Sequence, residues 1–149
     1  IKELQLCGNY AVSAQQFKFV ENLSITEGGT DLSFVENFPN LQILSIINTS
    51  FNEFKLSSSI KSLKFDYVEV LTKFPFKFKD TKIENLTILN CDDSPEWLID
   101  FLHRDETRLK LLNVEDCVMS KKVRKAIEEN EHKIEKFEKF EIFEKCINE

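Results

Sequence analysis

Glycine and proline are scarce in this chain, three of each in 149 residues, and histidine occurs only twice. Three glycines, Gly8 and the Gly28-Gly29 pair, leave no Gly-rich loop to cradle a phosphate. His103 and His132 fall near the ends of two segments expected to be helical, where a positive side chain suits the helix C-terminus. Neither accompanies a cysteine in the clustering that a metal site requires. No stretch approaches the ~20 apolar residues of a membrane-spanning helix. No basic segment followed by an apolar one opens the chain as a signal peptide would. Basic residues are outnumbered, 20 Lys and Arg against 26 Asp and Glu. Nucleic acid is therefore disfavoured as the main partner, because phosphate affinity depends on cations displacing counterions.

What the chain does have is a frame. In Ile83-Glu84-Asn85-Leu86-Thr87-Ile88-Leu89-Asn90-Cys91 the apolar residues occupy places 1, 4 and 6, and a small inward-facing residue occupies place 9. The same frame fits Ile1, Leu4, Leu6 and Asn9, then Val20, Leu23, Ile25 and Gly28, and Leu41, Leu44, Ile46 and Thr49. Ile60, Leu63, Phe65 and Val68 follow, then Leu109, Leu112, Val114 and Cys117. A weaker copy begins at Phe137 with Phe140 and Ile142. Self-similarity at this period marks a repeat array.

Successive strand residues face opposite sides, so places 4 and 6 are core while 3, 5 and 7 are open. Each repeat predicts one short strand, stacked in parallel on the next, with a return path behind the sheet. Phe17 and Phe38 both stand three residues before a first place, as recurring core plugs. The return from Thr49 to Ser59 is expected to be irregular or 3-10. Ser94-Pro95-Glu96-Trp97 predicts a helix to about His103, with Ser94 as N-cap and Pro95 at the first position. Ser120 predicts a second helix, to about His132, with Val123, Ala126 and Ile127 inward. Residues 133–149 are expected to supply a closing strand, a capping helix being the alternative. The chain opens at Ile1 on the first place of a repeat, so 1–149 is expected to be one repeat domain within a longer protein. Residues 120–149 form its C-terminal repeat or cap.

Leu-x-x-Leu-x-Leu-x-x-Asn/Cys is the leucine-rich repeat signature, and over nearly its full length the chain resembles that family. Ile1 to Asn9, Leu41 to Thr49, Ile83 to Cys91 and Leu109 to Cys117 carry the match. Cys91 and Cys117 resemble the cysteine-containing subclass, or its ribonuclease-inhibitor-like relatives, as in F-box leucine-rich repeat proteins. The resemblance implies an α/β leucine-rich repeat solenoid with a curved parallel sheet and a mixed irregular and helical convex side. It further implies protein recognition on the concave face. Its most concrete form is substrate recognition for an F-box-type ubiquitin ligase, with a Skp-like adaptor bound through a region upstream of Ile1. Gly28 and Val68 at place 9, and first intervals of 19, 21, 19 and 23 residues, depart from that subclass.

The open face gathers Ile43, Ser45, Ile47, Lys64, Asn85, Thr87, Leu89, Leu111 and Asn113, with Tyr67 at its edge. Ile43, Ile47, Leu89 and Leu111 are apolar where water favours polar residues, and an apolar patch with a polar surround is the look of a protein interface. These ten residues are the expected partner-binding site. A scaffold role in a larger complex is the alternative. Lys73-Phe74-Pro75-Phe76-Lys77-Phe78-Lys79, with Lys82, interleaves aromatics and cations as an RNA-binding strip would. As a return path it would instead send its rings to the core and its lysines to water.

Cys91 and Cys117 at place 9 are expected to be buried free thiols, which suits an intracellular setting. Cys7 is the one plausibly exposed thiol, and no base stands beside it for nucleophilic work. No enzyme activity, cofactor or metal is expected.

Overall fold

Alternation does what the frame requires of it. The computed structural model describes residues 2–8, 17–77 and 82–140. Their strands are β1 (Glu3–Cys7), β2 (Asn22–Thr26), β3 (Ile43–Phe51), β4 (Phe54–Lys55), β5 (Ser62–Val70), β6 (Phe76–Lys77), β7 (Asn85–Leu89), β8 (Leu109–Glu115) and β9 (Ile134–Phe140). Seven form one sheet in the order β1-β2-β3-β5-β7-β8-β9, every neighbouring pair parallel. The sheet stays open and does not close into a barrel. β4 and β6 pair separately behind it. The helices are α1 (Trp97–His103) and α2 (Lys121–Glu129), with short 3-10 turns at Ser33–Asn37 and Glu131–Lys133. No described helix is long and apolar enough to cross a membrane.

The core is built from places 4 and 6. Leu23, Leu44, Leu63, Leu86 and Leu112 align across the strands, as do Ile25, Ile46, Phe65, Ile88 and Val114, and none is more than 2% exposed. Each such side chain contributes about 1.5–3 kcal/mol of hydrophobic stabilisation. The returns fill the space behind. Phe17 stacks on Phe38 with ring centroids 4.8 Å apart. Further along, Phe51, Phe54, Phe65, Phe76, Trp97 and Phe101 form an edge-to-face and tilted aromatic cluster, an arrangement favoured by the ring quadrupole.

The first six repeats share one backbone feature after place 7, whether the strand ends there or continues. Place 8 has a positive φ in six successive copies: Gly8 (85°), Glu27 (52°), Asn48 (49°), Tyr67 (54°), Asn90 (53°) and Asp116 (54°). Left-handed backbone suits Gly, Asn and Asp and penalises other side chains, and four of these six residues are of that kind. At place 9, the side chains of Thr49, Cys91 and Cys117 each donate to a carbonyl two residues back. Thr49 Oγ1 donates to Ile47 O at 2.8 Å and accepts the Gly28 N–H at 3.1 Å. Cys117 Sγ donates to Glu115 O at 3.2 Å. Gly28 has no room for more than hydrogen: a Cβ there would stand 2.8 Å from Ile25 Cγ2. At Gly28 the departure from Asn or Cys is thus a matter of space.

Four expectations need correction. The return after β3 is not 3-10. Thr49 to Phe51 prolong β3, and Phe54–Lys55 form β4, because the neighbouring return supplies a strand partner in β6. Ser94 does not cap α1: the helix begins at Trp97 after Glu96, without a side-chain cap. The Ser94 hydroxyl is engaged elsewhere, accepting the Ser120 N–H at 2.9 Å. Ser120 does cap its helix, accepting the Val123 N–H at 3.2 Å, but α2 stops at Glu129 instead of reaching His132.

The fourth concerns the closing strand. It exists, but Leu111 pairs with Lys136 and Leu112 with Phe137, so its frame starts at Ile134, three residues before Phe137. Ile134/Phe137 and Phe137/Phe140 share the same spacing, and hydrophobic pattern alone does not choose between them. Lys133 decides it. Its ammonium donates to the carbonyls of Leu102 and Arg104, both at 2.8 Å, and anchors the chain just before the strand. On the open face the last strand therefore presents Lys136 and Glu138 beside Leu111 and Asn113. Asn9, Ala14, Phe78, Lys79, Glu141, Ile142, Phe143 and Cys146 lie outside the described residues.

Candidate functional site

All elements outside the sheet pack against places 4 and 6, and no described element covers places 3, 5 and 7. Strand pairing arranges that open face in rows. Ile43, Ser62, Asn85 and Leu111 stand side by side, as do Ser45, Lys64, Thr87 and Asn113, and Ile47, Asp66, Leu89 and Glu115. Nine of the ten expected site residues thus lie on one surface, most of them half-buried between neighbouring strands, with Ile43 41% exposed. Tyr67 stands one place beyond the last row and is 54% exposed.

The apolar residues do not merge into one patch. Ser62, Lys64 and Asp66 of β5 run as a polar column between Ile43 and Ile47 on one side and β7 on the other. Ile47 and Leu89 are separated by the Asp66 strand, about 10 Å at the usual spacing between strands. Leu89 and Leu111 occupy opposite ends of adjacent strands. The face is therefore mixed, with apolar points set in a polar field. Several polar groups are already held in place. Asn85 Nδ2 donates to Ser62 Oγ at 3.1 Å, and Asn90 Nδ2 to Asp66 Oδ1 at 2.8 Å. Asn113 Oδ1, between Thr87 and Glu138 in register, is buried with no hydrogen-bond partner. Such an acceptor costs about 1–3 kcal/mol when left unmet.

The Lys73–Lys82 strip is divided by burial. Phe76 is 1% exposed and packs edge-on against Phe101, while Phe74 packs edge-on against Phe76 and Trp97. Phe76 is enclosed, and partly buried Phe74 has the Arg104 guanidinium 5.2 Å above its ring. Lys73 and Lys77 are exposed, and Lys77 Nζ lies 3.7 Å from Glu53. A row of bases would find no free aromatic platform on Phe74 or Phe76.

Cys91 and Cys117 are buried free thiols, each 8% exposed, while Cys7 is exposed. A hydrogen bond to Cys117, together with burial, holds the Cys91 thiol far above the ordinary thiol range. Cys117 directs its thiol to the Glu115 and Ile88 carbonyls at 3.2 and 3.5 Å. Neither is poised as a nucleophile, which needs an accessible thiolate. His103 Nε2 lies 3.6 Å from Glu129, tying α1 to α2. Among the described residues no group of His, Cys, Asp and Glu could hold a metal ion.

A second concave feature went unnoticed in the sequence. A cleft of about 490 Å³ opens at the C-terminal ends of β3, β5 and β7, lined by Tyr67, Val68, Glu69, Val70 and the Asp92–Trp97 segment among others. Nothing in the sequence signalled it; Tyr67, on its lining, takes a left-handed backbone that a bulky residue rarely occupies.

Comparison with protein-family models, with curated proteins and with solved structures finds no match for this chain.

Proposed function

We propose that this chain is a leucine-rich repeat solenoid that binds a protein partner through the open face of its sheet. The observation that carries the reading is the register. Seven parallel strands follow one another in chain order, and places 3, 5 and 7 of each fall in line on a surface that no described element covers. A repeat that stacks in this way builds an extended surface whose side chains vary freely while the buried places keep the scaffold. Ile43, Ile47, Leu89 and Leu111 give that surface apolar anchor points, and Ser45, Lys64, Thr87 and Asn113 give it hydrogen-bonding groups. This mixture suits a protein partner.

The most specific version is substrate recognition for an F-box-type ubiquitin ligase, supported by the resemblance carried by Cys91 and Cys117. A scaffold subunit is the alternative within the same class. Capture of the partner from cell extract, followed by affinity measurement with Ile47→Asp and Leu89→Asp, tests the surface. Both variants are expected to keep native circular dichroism and lose binding by tenfold or more. Full affinity in both overturns the open-face reading. Co-purification of a Skp-like adaptor with a longer form of the protein separates the ligase role from the scaffold role.

A further inference from the structure

The strands of the sheet are unequal, and the inequality leaves an edge inside it. β3 and β5 remain paired as far as Phe51 and Val70, whereas β5 and β7 stop pairing at Asp66 and Leu89. After Leu89 the chain turns through Asn90 and Cys91 and departs towards α1. Residues 68–70 of β5 are therefore bonded to β3 on one side and to no described strand on the other. Leu71 N–H donates to Phe51 O at 2.9 Å. Amides of alternate strand residues face opposite sides, so Glu69 also faces β3, and Val68 and Val70 turn their N–H and C=O groups to the unpaired side. No backbone hydrogen bond joins this segment to residues 90–96. The 490 Å³ cleft lies along it.

An unpaired strand edge is a template for an incoming strand, and proteins ordinarily blunt such edges. β9, at the end of the sheet, is blunted by Glu135, Lys136 and Glu138. Residues 68–70 carry a single charge, Glu69, flanked by the uncharged Val68 and Val70. The β5 edge lies along the cleft, and the charge lining that cleft is one-sided. Glu69, Asp92, Asp93 and Glu96 contribute four carboxylates, against the single ammonium of Lys73. Tyr67 stands at the mouth, 54% exposed, with its backbone held at φ 54°.

We propose that this cleft receives an extended, lysine- or arginine-bearing segment of another protein, which pairs as an added strand with Val68 and Val70. Backbone pairing supplies the affinity, and the carboxylates select basic side chains, as in strand-addition recognition generally. The surface is distinct from the open face, so the proposal stands or falls without the function argued above.

The test uses the whole chain and a fluorescent, end-capped peptide of alternating Val and Lys. Three comparison ligands or variants define the mode: the same peptide with Glu for Lys, the peptide N-methylated at alternate amides, and the protein variant Asp92→Lys/Asp93→Lys. Saturable binding of the Lys peptide is expected, weakened at least tenfold by each of the three. Val70→Pro, which removes the N–H facing the cleft, is expected to weaken it similarly. The charge variant, at exposed positions, keeps the test valid if the proline variant misfolds. Absence of saturable binding up to about 1 mM, the weak limit of useful affinity, overturns the proposal. So does undiminished binding of the N-methylated peptide. Dimerisation of the chain, abolished by Asp92→Lys/Asp93→Lys, would assign the edge to a second copy and overturn it as well.

Discussion

The hydroxyl of Ser94 accepts the backbone N–H of Ser120 at 2.9 Å, 26 residues further along the chain. Ser120 is 1% exposed, and its own hydroxyl caps α2. One serine thus fixes the start of the next return, and the second opens the helix that follows. Ser94→Ala would leave a buried N–H without a partner. A loss of about 1–3 kcal/mol is expected, measured as a lower urea midpoint at unchanged slope. Ser120→Ala should cost about 1 kcal/mol through loss of the cap.

Lys133 closes α1 from a distance. Its ammonium meets the Leu102 and Arg104 carbonyls while its stem is buried, leaving it 9% exposed. Lys133→Met keeps the stem and removes the donor. A destabilisation of about 1.5–3 kcal/mol is expected, the range for hydrogen bonds made by charged groups. Hydrogen exchange should show earlier loss of protection in α1 and β9 than in β2 and β3. Equal loss throughout would refute the local role.

Tyr67 carries a left-handed backbone that Asn and Gly adopt more readily. Tyr67→Asn is expected to raise stability by about 0.5–1 kcal/mol. The control is Asn90→Ala, which loses both the backbone preference and the bond to Asp66 and should destabilise by about 1 kcal/mol. A destabilised Tyr67→Asn would mean that the ring makes a contact outweighing its backbone strain.

The thiols should differ in kind. Alkylation of the native protein, mapped by mass spectrometry, is expected to modify Cys7 rapidly and Cys91 and Cys117 only on unfolding. The raised ionisation of Cys91 also has a pH signature. In the unfolded chain its thiol ionises near its ordinary value of 9.0, while in the folded chain it stays protonated. The folded state then holds the extra proton, so stability falls as pH rises above 9. Cys117, the partner in that hydrogen bond, is shifted the opposite way, below its ordinary range, so the slope is the net of the two thiols and stays below the roughly 1.4 kcal/mol per pH unit of a single proton. Cys91→Ala should flatten the curve above pH 9 relative to the parent, and identical slopes would contradict the assignment.

Much of the fold was legible because it is periodic. Leu86 and Ile88 announce a buried place 4 and place 6 by themselves, and repetition at Leu44/Ile46, Leu63/Phe65 and Leu112/Val114 sets the strand order without further information. The left-handed column at place 8 was also present, in Gly8, Asn48, Asn90 and Asp116. It was obscured by Glu27 and Tyr67, whose side chains signal nothing of the kind.

Legibility ended where two segments distant in sequence compete for one group. Ser94-Pro95-Glu96 reads as a helix cap, yet the serine oxygen serves Ser120. Ile134 and Phe137 are equally good first residues for the last strand, until Lys133 binds the end of α1. The nine open-face residues follow from the frame alone, because side-chain direction in a strand alternates whatever surrounds it. Their division by the Ser62–Lys64–Asp66 column could be read only once the strands were laid side by side. The unpaired edge at Val68 and Val70 belongs wholly to the tertiary structure. It exists because β5 outlasts β7, and the length of a strand is set by its neighbour as much as by its own residues.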